Sequence, residues 1–115
     1  MSHLCLVAGD PSGDAHAARL VNALKRLSPD LTFAALGGQH LQDAGVDLLD
    51  DLTATAAIGP FDAAKHLGRF VRARRRLAEH LSTTHTDAVI LVDFGDFNLP
   101  IMAPLAKRFG CRVLY

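Results

Sequence analysis

Asp93, Asp96 and Asn98 fall within six residues, directly after the short β-branched apolar run Ala88-Val89-Ile90-Leu91-Val92. An open α/β sheet keeps its chemistry where buried strands end in polar loops. A carboxylate leaving such a strand is partly desolvated, which raises its pKa and improves it as a base. Asp93 is therefore suited to take a proton from an attacking hydroxyl, such as that of a sugar at a glycosyl centre. Asp96 can orient Asp93, cap the following helix or hold a ligand hydroxyl. Asn98 can cap a helix whose first turn is Leu99-Pro100. Two acids at three-residue spacing are a weak metal signal, and a capped helix beside a surface acid explains the same spacing without any ligand.

A second cluster, Gly9-Asp10-Pro11-Ser12-Gly13-Asp14, follows an apolar run and opens a helical pattern. Gly9 allows close approach or positive φ, and Ser12 is a candidate N-cap with exposed backbone donors behind it. Such a helix start can hold a phosphate or another anion. Asp10 and Asp14 argue against a bare polyphosphate, unless a sugar hydroxyl or a cation takes part. The residues match neither a P-loop nor the Gly-x-Gly-x-x-Gly dinucleotide fingerprint.

A third cluster is cationic. Lys65, Arg69, Arg72, Arg74, Arg75 and Arg76 are six of the twelve Lys and Arg residues, with Phe61 and Phe70 near them. A solvated helix face accounts for this run. So does attraction to an anionic lipid or phosphate surface, each basic group contributing roughly 1 kcal/mol. Nucleic acid fits poorly, because no basic strand is interleaved with aromatics. Of the six histidines only His16 falls near the first loop, and it reads as a surface residue. Cys5 and Cys111 sit in strand-like runs and read as buried, reduced thiols. Neither is expected to have a cysteine or histidine partner at ligand spacing, so no metal site is expected.

The elements that must position these groups alternate. Residues 3–8 read as a strand and 13–27 as a helix, with Ala17, Leu20, Val21, Leu24 and Leu27 on its apolar stripe. A strand over 32–36, a short helix over 39–44 and a strand over 46–49 follow. A long helix from 60 or 61 to 82 has Ala64, Leu67, Val71, Leu77, Ala78 and Leu81 facing inward. The 88–92 strand, a helix over 99–109 stopped by Gly110, and a final strand complete the chain. Continuous apolar strands without hairpin signals predict a parallel sheet covered on both faces. Right-handed crossovers then place loops 9–14 and 93–98 on one edge, facing one cleft.

The 115 residues suffice for one domain with a core, and twelve basic residues balance twelve acidic ones. Balanced charge argues against a general nucleic-acid binder. No apolar run is long enough for a transmembrane helix, and the start lacks a basic signal-peptide region, so the cytoplasm is the expected compartment. The chain stops on the hydrophobic run Cys111-Arg112-Val113-Leu114-Tyr115, which is expected of a piece of something longer.

Taken together, residues 4–115 resemble the amino-terminal half of the lipid-A-disaccharide synthases. The family's Gly-Glu-x-Ser-Gly-Asp loop is matched by Gly9 to Asp14, with Asp10 for glutamate. Its Asp-x-Pro-Asp-Phe-Asn loop is matched by Asp93 to Asn98, with Gly95 for proline. Gly37-Gly38 and the segment to Gly45 correspond to its Gly-Gly turn and Met-x-x-x-Gly, with Leu41 at the methionine. Its Val-Met-Gly-x-x-Glu-Val segment becomes Ala57-Ile58-Gly59-Pro60-Phe61-Asp62-Ala63.

The resemblance implies a Rossmann-like α/β fold, the amino-terminal portion of a GT-B glycosyltransferase whose carboxy-terminal donor domain lies outside these residues. It implies transfer of 2,3-diacylglucosamine from UDP to 2,3-diacylglucosamine 1-phosphate without a metal or other cofactor. The expected partners are the UDP-linked acylated glucosamine donor, the phosphorylated acylated glucosamine acceptor and the anionic surface of the inner membrane, bound peripherally from the cytoplasm. Asp93 would be the general base. Gly9, Asp10, Ser12, Gly13, Asp14, Gly59, Asp62, Asp96 and Asn98 would line the substrate. Phe61, Lys65, Arg69, Arg72 and Arg76 would meet the membrane. Without the donor half the 115 residues alone would not turn over. The rival expectation is a non-catalytic α/β module that binds a nucleotide or anion through loop 9–14 and the basic helix.

Overall fold

The computed structural model describes residues 2–52, 63–92 and 102–114, except for the side chains of 63–67 and 69. Its elements are β1 (His3–Ala8), α1 (Pro11–Leu27), β2 (Thr32–Gly37), α2 (Gln39–Asp43), β3 (Asp47–Asp51), α3 (Ala63–Thr83), β4 (Ala88–Val92), α4 (Ala103–Arg108) and β5 (Arg112–Leu114). The strands form one parallel sheet in the order β3-β2-β1-β4-β5. The Rossmann-like α/β class expected from the sequence is the class found.

The strand chemistry explains the layering. Cys5, Leu6, Val7 and Ala8 of β1 are all fully buried, because β1 is central and both its faces are covered. Alternate side chains leave opposite faces. Leu6 and Ala8 pack with Ala17, Ala18 and Val21 of α1 and Leu41 of α2. Cys5 and Val7 pack with Ala73, Leu77 and Leu81 of α3 and Leu105 and Ala106 of α4. Each fully buried leucine in these layers stabilises the fold by roughly 1.5–3 kcal/mol.

Helix phases differ from the sequence expectation in three places. In α1 the buried stripe is Asp14, Ala17, Ala18 and Val21, while Leu20 is exposed and Leu27 is 82% exposed. Leu27 is the last helical residue, where the core no longer covers the helix. In α3 Val71 is 59% exposed, and Phe70, Ala73, Leu77 and Leu81 face the core instead. Phe70 thus packs inward rather than on the basic face. Both Val71 and Phe70 fit a helical stripe at the tolerance of spacing alone; contact with the sheet selects one phase.

Helix starts also moved. Asp10, not Ser12, caps α1: it is extended (φ −136°, ψ 165°), and its Oδ1 accepts from Gly13 N at 2.6 Å. Pro11 then occupies the first turn, where its fixed φ suits a helix and its missing N–H costs nothing. Gly45 (φ 86°) and Gly110 (φ 76°) end α2 and α4 in the left-handed region that glycine tolerates. The start of the expected long helix before Ala63, and of the expected helix before Ala103, lies outside the described residues.

Candidate functional site

The sheet reverses its order of growth at β1. From there the chain builds outward through β2 and β3, then crosses to the other side for β4 and β5. Ligands of open α/β sheets bind outside the strand carboxyl ends at such a switch point. Here those ends are Ala8 of β1 and Val92 of β4, which are paired in register. Gly9 and Asp10 continue from the first, and Asp93 follows the second in sequence.

Gly13 closes the gap between them. A Cβ on Gly13 would lie 3.1 Å from Asp10 Oδ1, 3.4 Å from the Val92 carbonyl oxygen and 3.7 Å from the Ala8 Cβ. A Cβ would touch the end of β4 at ordinary contact distance and would crowd only the Asp10 carboxylate that caps the helix. Gly9 and Gly13 are buried, Asp10 is half-buried, and Pro11 and Ser12 are exposed at the helix start. Ser12 is thus free of the capping task and presents its hydroxyl to solvent. His16, one turn further on, is exposed.

Asp14 is different. It is 2% exposed, and its carboxylate faces the next loop. Oδ1 accepts from Gly38 N at 2.8 Å and Leu41 N at 3.2 Å, and Oδ2 accepts from His40 N at 2.9 Å. These are the amides at the start of α2, where backbone donors have no helical partner. Asp14 thus caps a helix far away in sequence and ties α1 to the end of β2. Gly37 makes room for it: a Cβ there would lie 3.2 Å from Asp14 Oδ1 and would collide with Leu41 Cδ1. Sequence reasoning placed Asp14 in the ligand loop and had no signal for this cap. The Gly37-Gly38 pair, 23 and 24 positions on, was the available clue.

Gly59, Phe61, Asp62, Asp93, Asp96 and Asn98 lie outside the described residues, as do the side chains of Lys65 and Arg69. Arg72 and Arg76 of the basic run both reach β3. Arg72 Nε is 3.5 Å from Asp50 Oδ2, and Arg76 Nη1 donates to the Leu49 carbonyl at 3.3 Å. Among the described residues Asp50 Oδ2 has no hydrogen bond, although it is buried. The adjacent guanidinium charge is its compensation. Arg74 and Arg75 are exposed on α3. A shallow depression of about 470 Å³ lies between α3 and the β3 edge, lined by Leu49, Arg76, Glu79, His80 and Thr83. It is separate from the β1–β4 switch point.

The architecture is that of a Rossmann-like α/β domain of the kind that begins a GT-B protein, with its topological switch point between β1 and β4. The chain matches the family described as lipid-A-disaccharide synthetase over residues 4–115. It belongs to that family. It is 42% identical over 114 residues to lipid-A-disaccharide synthase 1 of Legionella pneumophila (strain Lens), covering 99% of this chain and 30% of that protein. The lipid-A-disaccharide synthases of Geobacter metallireducens (39% over 110 residues) and Myxococcus xanthus (40% over 112 residues) cover 96% and 97% of this chain. They are themselves covered to 28% and 29%. The chain therefore spans somewhat under a third of the curated relatives it matches.

Proposed function

We propose that this chain forms the acceptor side of a glycosyltransferase that makes the lipid A disaccharide. It would act with a UDP-bearing donor half supplied from outside these 115 residues. The acceptor is 2,3-diacylglucosamine 1-phosphate and the donor is UDP-2,3-diacylglucosamine. The observation that carries this reading is the in-register pairing of Ala8 with Val92, which sets the Gly9–Asp14 loop beside the departure point of the Asp93 loop. Family membership supplies the reaction class.

In this reading Asp93 removes the proton of the acceptor hydroxyl as its oxygen attacks the anomeric carbon of the donor. The bond to UDP breaks, and UDP leaves with the electron pair. Gly9, Asp10, Ser12 and Gly13 contact the substrate from the α1 side, with Ser12 and the half-buried Asp10 offering hydroxyl and carboxylate. Asp14 shapes that wall through its cap. Gly59, Asp62, Asp96 and Asn98 complete it. The half-buried Asp10 carboxylate at the helix start favours a ligand that presents sugar hydroxyls there, rather than bare phosphate.

The basic face of α3, with Phe61, Lys65, Arg69, Arg72 and Arg76, draws the protein to the anionic cytoplasmic surface of the inner membrane. Arg72 and Arg76 contact β3 yet stay exposed, and Arg74 and Arg75, also exposed on α3, carry further positive charge. Among the described residues no helix is long and apolar enough to cross a membrane, which fits peripheral attachment.

Asp93→Asn in the full-length protein tests the central step. Disaccharide formation should fall by about 10²–10⁴-fold, the usual contribution of a general base. Wild-type turnover would remove Asp93 from the mechanism. The 115 residues alone are expected to give no turnover. Tight UDP binding by them would favour the rival nucleotide-binding module instead.

A further inference from the structure

The amino-terminal end of the sheet carries a cluster that glycosyl transfer leaves unused. His3 and Cys5 are two residues apart on β1, so both side chains leave the face covered by α3. His80 lies in the last turns of α3, beside Leu77 and Leu81, which pack with Cys5. The Nε2 atoms of His3 and His80 are 2.8 Å apart, and His3 Nε2 is 3.9 Å from Cys5 Sγ. All three ligand atoms lie within 4.8 Å of one another.

We propose that His3 Nε2, His80 Nε2 and Cys5 Sγ bind a divalent ion of the zinc class, which pins the end of α3 to the start of β1. Imidazole and thiolate are the donors zinc prefers. Tetrahedral zinc, with Zn–N about 2.0–2.1 Å and Zn–S about 2.3 Å, holds two nitrogens roughly 3.3 Å apart and a nitrogen and sulfur roughly 3.6 Å apart. The two nitrogens at 2.8 Å must part by about 0.5 Å, the His3 nitrogen and the sulfur at 3.9 Å must close by about 0.3 Å, and the sulfur, within 4.8 Å of His80 Nε2, must draw towards it, which side-chain rotations can supply.

The surroundings favour the same assignment. His3 Nδ1 is 2.7 Å from Thr32 Oγ1, whose hydroxyl donates to the Ser2 carbonyl at 3.4 Å. With the Thr32 hydroxyl accepting from Nδ1–H, the lone pair of His3 lies on Nε2, facing His80. The metal-free cluster is then held by His80 Nε2–H donating to His3 Nε2. Burial keeps both imidazoles neutral, so their lone pairs are free for a metal, and Asp47, with Asp87 at His3, partly offsets the cost of a cation there. The thiol is neutral without metal, because burial pushes it up to about 12.

Loading breaks the S–H bond and forms the metal–sulfur bond, and the thiol proton goes to solvent. His80 carries its proton on Nδ1 once Nε2 coordinates. One proton is released per ion, and water takes the fourth position. The depression beside α3 is lined by His80 and opens to solvent there. The Gly9–Asp14 loop starts at the other end of the six-residue β1, roughly 17–20 Å away, so the ion serves the fold and not the transfer step.

The test is a Co²⁺ titration of the full-length protein, reduced and stripped of metal, followed by its optical spectrum. One equivalent should produce a thiolate-to-cobalt charge-transfer band, and Zn²⁺ should abolish the band and raise the Tm. Cys5→Ser should lose the band. Since Cys5 is buried, His80→Gln on the half-buried helix face is the firmer variant, its fold checked by circular dichroism. It should lose that equivalent and the zinc-dependent rise in Tm. Thr32→Val, which removes the hydrogen bond that orients His3, should weaken Co²⁺ binding by about 10-fold and keep the band. No charge-transfer band in the wild type, or an unchanged isotherm in folded His80→Gln, overturns the proposal.

Discussion

The two ends of β1 treat polar side chains in opposite ways. At its carboxyl end, Asp10 and Asp14 turn their carboxylates onto backbone amides, the first within its own helix and the second across to α2. At its amino end, His3 and His80 meet each other and Cys5, side chain against side chain. Amide-bound carboxylates have a fixed geometry and make a rigid wall. Imidazole and thiol groups facing one another are neutral and able to rearrange around a proton or an ion. The first arrangement suits a substrate edge; the second suits a pin.

The comparison breaks most sharply at Asp14. Asp14→Ala would leave three backbone N–H groups at the start of α2 without their acceptor. An unsatisfied buried group costs about 1–3 kcal/mol, so a total loss of about 3 kcal/mol or more is expected in urea unfolding. A loss well under 1 kcal/mol would show that water replaces the carboxylate, and that the joint between α1 and α2 is not rigid. Gly37→Ala probes the same joint through sterics. Its Cβ would collide with Leu41 Cδ1 and crowd Asp14 Oδ1, so a loss of about 1–3 kcal/mol is expected.

The amino end should respond to pH. Burial, followed by the nearby His80, holds His3 below the ordinary histidine range, and burial does the same for His80. The unfolded chain therefore binds protons that the native state refuses. In chelator-treated protein, stability should be fully present above about pH 6.5 and fall as the pH drops toward the lowered native values. Asp47 and Asp87 oppose this loss without cancelling it. His80→Gln should flatten the slope, and an unaltered slope would assign it to other groups. Asp87 itself, held low chiefly by the His3 backbone N–H, loses its contribution only in the more acidic carboxylate range.

The smallest effect is expected at Asp10. Asp10→Ala removes one N-cap bond and should cost about 1 kcal/mol, whereas Asp10→Asn should cost less. If both variants bind the proposed acceptor sugar as wild type does, Asp10 is a cap alone and the proposed substrate wall narrows to its neighbours.

Much of this was legible before folding. Apolar strand runs, Gly110 and Gly45 as stops, and the order of strand and helix all reflect local rules of burial and dihedral preference. The buried state of Cys5 and Cys111 followed from their runs in the same way. Less legible were features set by one-residue differences. Ser12 and Asp10 are both good caps, and Pro11 at the first turn decided between them. Val71 and Phe70 both fit the period of α3, and the sheet chose Phe70. The histidine neighbours expected to be missing around Cys5 are present. His3 was visible two residues away but does not form a familiar ligand spacing, and His80 is 77 positions from His3.

The sequence by itself determined the α/β class, the placement of the Gly9–Asp14 and Asp93–Asn98 clusters after the first and fourth strands, and the concentration of positive charge on α3. These depend on periodicity, turn chemistry and composition, which are properties of neighbouring residues. Only the tertiary structure decided that Asp14 caps α2, that Arg72 answers the buried Asp50, and that His80 closes on His3 and Cys5. Each of these joins groups more than twenty positions apart. Such pairs are chosen by the register of strands and the rotation of helices against the sheet, which no local pattern encodes.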